Sequence, residues 1–301
     1  MQLWNSYIKN FVSYLKIEKG LSENSCISYQ NDVEKLKDFA MDHNLKPNKL
    51  NLEDLRRFIG QLYDLGLSAR SQARIISGIK QFFTYLLLEG IITENHADLL
   101  EQPKIGKKLP DVLSIQEIEG LINAVDLTKK EGQRNRAIVE TLYSCGIRVS
   151  ELIELKLSDL YFDEGFIRVI GKGNKQRLVP TSKQMCKEVD NYIHTTRNQK
   201  IKENFSHFLF LNRRGEKMTR VMIFTIVQNL AKKINLGRKI SPHTFRHSFA
   251  THLIEGGANL RAIQEMLGHE SISTTEMYTH LDQRFLKEAI LKYHPRNSQT
   301  M

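Results

Sequence analysis

From Trp4 to Leu15 the apolar residues Trp4, Tyr7, Ile8, Phe11, Val12 and Leu15 recur every three or four positions. That spacing gathers them on one face of an amphipathic helix. Three further stripes follow, through Val33, Leu36 and Phe39, through Leu55, Phe58, Ile59 and Leu62, and through Ile75, Ile76, Ile79, Phe82, Phe83, Leu86 and Leu87. Four such helices can bury one another's apolar faces. Between Glu101 and Asp111 the period is lost, with Pro103, Gly106 and Pro110 as breakers and Lys104, Lys107 and Lys108 among them. The pattern predicts a helical domain over residues 1–101, a linker over 102–111 and a second domain over 112–301.

The second domain opens on Ser114-Ile115-Gln116-Glu117, a capping box ahead of Ile118, Leu121, Ile122 and Val125. Helical patterns run from Arg134 to Tyr143, Ser150 to Leu155, Lys183 to Arg197 and Arg220 to Ile234. Between them the period changes, so that Phe166–Ile170 and Gln176–Pro180 read as strands joined by Gly171-Lys172-Gly173-Asn174-Lys175. Lys172 then stands at a hairpin tip. Ser241-Pro242 supplies an N-cap and first-turn proline to a helix carrying His243 and Arg246, which Gly256-Gly257 ends. A helix from Leu260 to Leu267 meets Gly268, a left-handed cap beyond which His269 emerges. The predicted fold class is mainly α with a small antiparallel β-sheet in the second domain.

Charge narrows the partner. Lys plus Arg number 44 against 34 Asp plus Glu, a net charge of +10, which favours a polyanion. Lys16, Lys19, Arg56, Arg57, Arg70, Arg74 and Lys80 lie on the polar faces of the first helices, and some of them are expected to contact phosphate. No stretch approaches the roughly 18 apolar residues of a membrane span, and Met1-Gln2-Leu3-Trp4-Asn5 does not read as a secretory signal. The expectation is a cytoplasmic protein without a membrane partner. Cys26, Cys145 and Cys186 lack paired spacing and read as reduced thiols.

Taken singly, the chemistry-bearing residues have bland roles. Arg148 suits a surface charge paired with Glu151 three residues on, Lys172 a solvated loop lysine, and His269 a partner for a helix terminus. Tyr278 suits a half-buried core position. Gly171-Lys172-Gly173 is too short for a phosphate loop. His243 and Arg246, at i and i+3, share a helix face and can reach one phosphate, with His247 nearly in line. Histidines at i and i+4 also suit zinc, but Thr244 stands where a metalloprotease helix carries glutamate.

In order, however, Arg148, Lys172, His243 with Arg246, His269 and Tyr278 resemble the tyrosine recombinase (phage integrase) family, over essentially the whole chain. Leu267-Gly268-His269, Ile272-Ser273-Thr274-Thr275 and Tyr278-Thr279-His280 are most similar to its bacterial Xer subgroup. The resemblance implies a two-domain, C-shaped clamp on duplex DNA with paired half-sites, and Tyr278 as the nucleophile that forms a 3′-phosphotyrosyl link. It implies no metal and no nucleotide cofactor. It also implies a synaptic tetramer, in some members with a second related recombinase and a septal DNA translocase, that resolves chromosome dimers at a dif-like site. The rivals are an integrase of a mobile element, a type IB topoisomerase-like enzyme, and a DNA-binding regulator without chemistry. Beyond Tyr278, the segment Arg284–Leu291 carries Phe285, Leu286, Ala289 and Ile290, which suit either local packing or, as the resemblance implies, docking on a neighbouring protomer.

Overall fold

Each stripe of the first hundred residues is a helix: α1 (Gln2–Ile17), α2 (Glu23–Asp42), α3 (Leu52–Asp64) and α4 (Ala69–Leu88). The computed structural model describes residues 2–106, 111–197, 201–268 and 280–297, with the backbone alone for Lys172 and residues 280–284. Asn51 and Asp54 close a reciprocal capping box at the start of α3, and Ser68 caps α4. Phe11, Leu36, Leu55, Ile79 and Phe82 are fully buried among these helices, and the Phe11 and Phe82 rings meet edge to face at 5.3 Å. Leu87 departs from its expected stripe and is 40 % exposed, because Leu86 beside it takes the core position and neighbouring helical residues point about 100° apart.

Two of the basic residues expected on the polar faces are held in ion pairs. Arg57 pairs with Asp54, and Arg74 Nη1 lies 2.5 Å from the fully buried Asp32. Burial pushes the Asp32 carboxyl up, against the pull of Arg74.

The chain divides into two compact units, Met1–Lys108 and Leu109–Met301, each with its own core. The second begins with α5 (Ile115–Asn123), α6 (Gly132–Cys145) and α7 (Val149–Glu154). Strands β1 (Leu160–Tyr161), β2 (Phe166–Ile170) and β3 (Gln176–Pro180) form an antiparallel sheet in that order, with Ile167 opposite Val179 and Val169 opposite Arg177. The two hairpin strands have the bounds that the two-residue period predicts; β1 is too short to carry a period. At the tip, Gly173 and Asn174 take positive φ angles of 72° and 60°.

Helices α8 (Lys183–Thr195), α9 (Arg220–Lys233), α10 (Pro242–Gly256), α11 (Leu260–Leu267) and α12 (His280–Tyr293) complete the unit. Of these, α8, α9 and α10 pack on α6, whose residues from Ala137 to Cys145 are all buried. As expected, α10 and α11 end on left-handed glycines, Gly257 and Gly268.

The tail segment packs locally. Leu286, Ala289 and Ile290 are buried in the core of their own unit, and Arg296 just beyond forms a bidentate pair with buried Glu140 at 2.8 and 2.9 Å. Of the apolar residues of that segment, local packing accounts for these three, and Phe285 is 43 % exposed. Among the described residues, no helix is long and apolar enough to cross a membrane.

Candidate active site

Gly146 begins the construction of the site. It ends α6 at φ 56°, and a Cβ there would lie only 2.3 Å from the Phe249 ring on α10. A left-handed residue without a side chain lets the chain turn back against α10. Two residues later Arg148 opens α7. Its backbone N–H donates to Glu151 Oε2 at 2.8 Å and its Nη1 to Glu151 Oε1 at 3.0 Å, so Glu151 orients the guanidinium as its spacing suggests.

A second arginine takes the same carboxylate. Arg177 on β3 donates Nη1 to Glu151 Oε1 and Nη2 to Oε2, both at 2.8 Å. Burial pushes the Glu151 carboxyl up, yet Arg177 and Arg148 together hold it below the ordinary carboxylate value.

Both arginines also reach the end of α11, where a third joins them. The carbonyl of Met266 accepts from Arg177 Nε at 2.8 Å, and that of Leu267 from Arg246 Nη2 at 2.5 Å and Arg148 Nη1 at 3.4 Å. The Gly268 carbonyl accepts from Arg148 Nη2 at 3.4 Å. Helix ends leave their last carbonyls without intrahelical partners and carry partial negative charge, so three cations there satisfy both demands.

Arg246 comes from α10 and also donates Nη1 to the Gly146 carbonyl at 2.9 Å. Burial first, then the positive charge of Arg148, lower its pKa to about 10, which leaves it protonated at neutral pH. The first turn of α10 is fixed by Pro242 and by the Ser241 N–H donating to Thr244 Oγ1 at 3.0 Å. Beside Arg246, the exposed His243 and half-buried His247 line an open recess of about 390 Å³ with Asp111, Thr244, Ala250 and Leu267.

Of the six residues expected to form the site, the structure brings Arg148, His243 and Arg246 together around the end of α11. The backbone of Lys172 follows Gly171, where a Cβ would lie 3.5 Å from Arg177 Nη1 and 3.6 Å from Glu151 Oε1. His269 and Tyr278 lie outside the described residues. Arg177 was not among the expected site residues, although a signal was present. The alternation that buries Val179 also turns position 177 inward, and an arginine on the inner face of a strand calls for a buried partner.

Residues 111–284 match the Phage integrase family model, and residues 8–90 match the model described as Phage integrase, N-terminal SAM-like domain. Tyrosine recombinase XerD of Staphylococcus epidermidis is 41 % identical over 293 residues, which cover 97 % of this chain and 99 % of that one. Among solved structures, the XerH site-specific recombinase bound to difH substrate superposes with a TM-score of 0.71 at 20 % identity, over 94 % of this chain and 92 % of that one. A lambda integrase dimer bound to a COC′ core site also gives 0.71, at 19 % identity, over 91 % of this chain and 99 % of that one.

Proposed function

The chain belongs to the phage integrase family, the tyrosine recombinases, and we propose that Arg148, Lys172, His243, Arg246, His269 and Tyr278 are the residues with which it cuts and rejoins duplex DNA. Identity over nearly its full length makes it a site-specific recombinase of the Xer type. The observation that carries the catalytic assignment is the meeting of two guanidiniums, from α7 and α10, on the single Leu267 oxygen beside the recess that His243 lines. Donors that converge on one oxygen are placed to serve one phosphate.

In this mechanism Tyr278 attacks the scissile phosphorus. A free phenol has a pKa near 10, so about one in a thousand is ionised at pH 7, a deficit of roughly 4 kcal/mol that neighbouring cations must offset. As the bond forms, negative charge gathers on the nonbridging oxygens, where the forked donors of Arg148 and Arg246 bind and His243 and His269 add directed hydrogen bonds. Losing one well-aimed donor of this kind costs about 3–4 kcal/mol, or two to three decades in rate. Lys172, on the hairpin tip, protonates the departing 5′ oxygen. The products are a 3′-phosphotyrosyl ester and a 5′-hydroxyl. The ester conserves the bond energy for rejoining, so the cycle calls for neither a metal nor a nucleotide cofactor.

The substrate is duplex DNA with paired half-sites, bound by both units and recombined in a synaptic tetramer in the cytoplasm. The role that full-length similarity to an Xer enzyme supports best is resolution of chromosome dimers at a dif-like site, with a second related recombinase and a septal translocase as candidate partners.

Binding-site selection from genomic DNA, followed by trapping on a nicked suicide duplex of the selected site, tests both parts. The parent is expected to form a covalent adduct, and Tyr278→Phe none, with DNA affinity held within a few fold. A stable adduct on Tyr278→Phe would overturn the nucleophile. Recovery of a mobile-element terminus instead of a chromosomal site would overturn the chromosomal role.

A further inference from the structure

Arg177 is only 6 % exposed, and its two terminal nitrogens and Nε are engaged with Glu151 and the Met266 carbonyl, each at 2.8 Å. It is withdrawn from any substrate. Yet Glu151 Oε1 accepts from Arg177 Nη1 and from Arg148 Nη1 alike. Gly268 confines it further, since a Cβ there would stand 3.2 Å from Arg177 Cδ and Nη1.

The charge count shows what this arrangement does. Arg148 and Glu151 alone would be a neutral pair, with the carboxylate drawing on the charge that a phosphate needs. A second guanidinium on the same carboxylate leaves the trio with one net positive charge, and Arg148, the more exposed member at 36 % against 6 % for Arg177, carries it toward solvent. The fork also fixes the carboxylate plane, and with it the direction of Arg148, because bidentate pairing sets orientation as well as distance.

We propose that Arg177 is a positioning residue for strand cleavage, acting through Glu151 to hold Arg148 aimed and electrostatically available for the scissile phosphate. This rests on the catalytic role given to Arg148 above. An ammonium at position 177 keeps the charge and loses the fork. Misplacing a catalytic group by about 1 Å can cost a factor of about 100.

The test is single-turnover cleavage of the nicked suicide duplex by the full chain, with DNA affinity measured alongside. Arg177→Lys is expected to lower the cleavage rate about 10- to 100-fold while the Kd stays within about threefold, a split that loss of structure would not produce. Arg148→Ala alone should lower cleavage by about two to three decades, and adding Arg177→Lys to it should cost less than about threefold more. Parent-rate cleavage by a folded Arg177→Lys, or a fully additive loss in the double variant, would overturn the inference. Should Arg177→Lys fail to fold by thermal unfolding, Glu151→Gln is read in its place, with the same expected split and the same overturning result. If Arg148→Ala itself cleaves like the parent, the catalytic assignment has failed rather than the positioning role.

Discussion

At Gly146 a single missing side chain determines whether two of the proposed catalytic arginines can meet. Gly146→Ala sets a left-handed strain against a Cβ that would lie 2.3 Å from the Phe249 ring; about 1–2 kcal/mol of backbone cost and 1–3 kcal/mol of overpacking are expected, read as a lower urea midpoint. A second prediction concerns His294, which is fully buried and tilted against the Tyr143 and Phe249 rings at 4.9 and 5.5 Å. Burial lowers its pKa to about 3, outweighing a hydrogen bond with the Tyr143 backbone. The unfolded chain therefore takes up a proton near pH 6.5 that the folded chain refuses, so stability falls as pH drops from about 6.5 toward 3, by about 1.4 kcal/mol per unit. The depressed His252 beside Tyr143 acts in the same direction. Thermal midpoints between pH 6.5 and 4.5 should slope less in His294→Phe, and an unchanged slope would rule this histidine out as the source. Residue identity carried much of the site in advance. Arg148 with Glu151, and His243 with Arg246, follow from helical spacing alone. Arg177 does not, because its partner is 26 residues away in sequence and only the fold brings the two together.

Elements were legible where their period was long. Among the described residues, helices α1 to α11 carry apolar stripes or caps that local spacing reveals, and the β2–β3 hairpin is marked by alternation and two glycines. The destination of α12 was not legible, because an apolar face is equally suited to its own core or to a neighbour's. What decides it lies past the helix, where the Arg296 guanidinium pairs with a Glu140 side chain that is fully buried on α6. Removing one partner of a buried pair strands the other charge, so Arg296→Met is expected to destabilise the protein by about 3–5 kcal/mol. Removing both, in Glu140→Gln with Arg296→Met, should recover most of that loss, since no uncompensated charge remains. Chemical denaturation of the two variants decides the matter: if the double variant is as unstable as the single one, the tail is held by its apolar contacts and not by the ion pair.

For the whole molecule, a net charge of +10 makes salt the informative variable. Lys16, Arg56 and Arg70 are exposed on the first unit and make no ion pair among the described residues, unlike Arg57 and Arg74, which are held by Asp54 and Asp32. They are among the cations on that unit available to displace counterions from DNA. A protein that neutralises six or more phosphates loses about a thousandfold or more in affinity between 50 and 200 mM salt, with a log–log slope of about −0.9 per phosphate. The full chain is expected to reach that steepness on duplex carrying its selected site. Because each unit buries its own apolar core, residues 111–301 produced alone should still unfold cooperatively, yet bind with a slope shallower by about two or more. Fluorescence anisotropy titrations across that salt range measure both slopes. Equal slopes would mean that the first unit contributes no phosphate contacts, and the basic faces of α1, α3 and α4 would then be ordinary solvated surface.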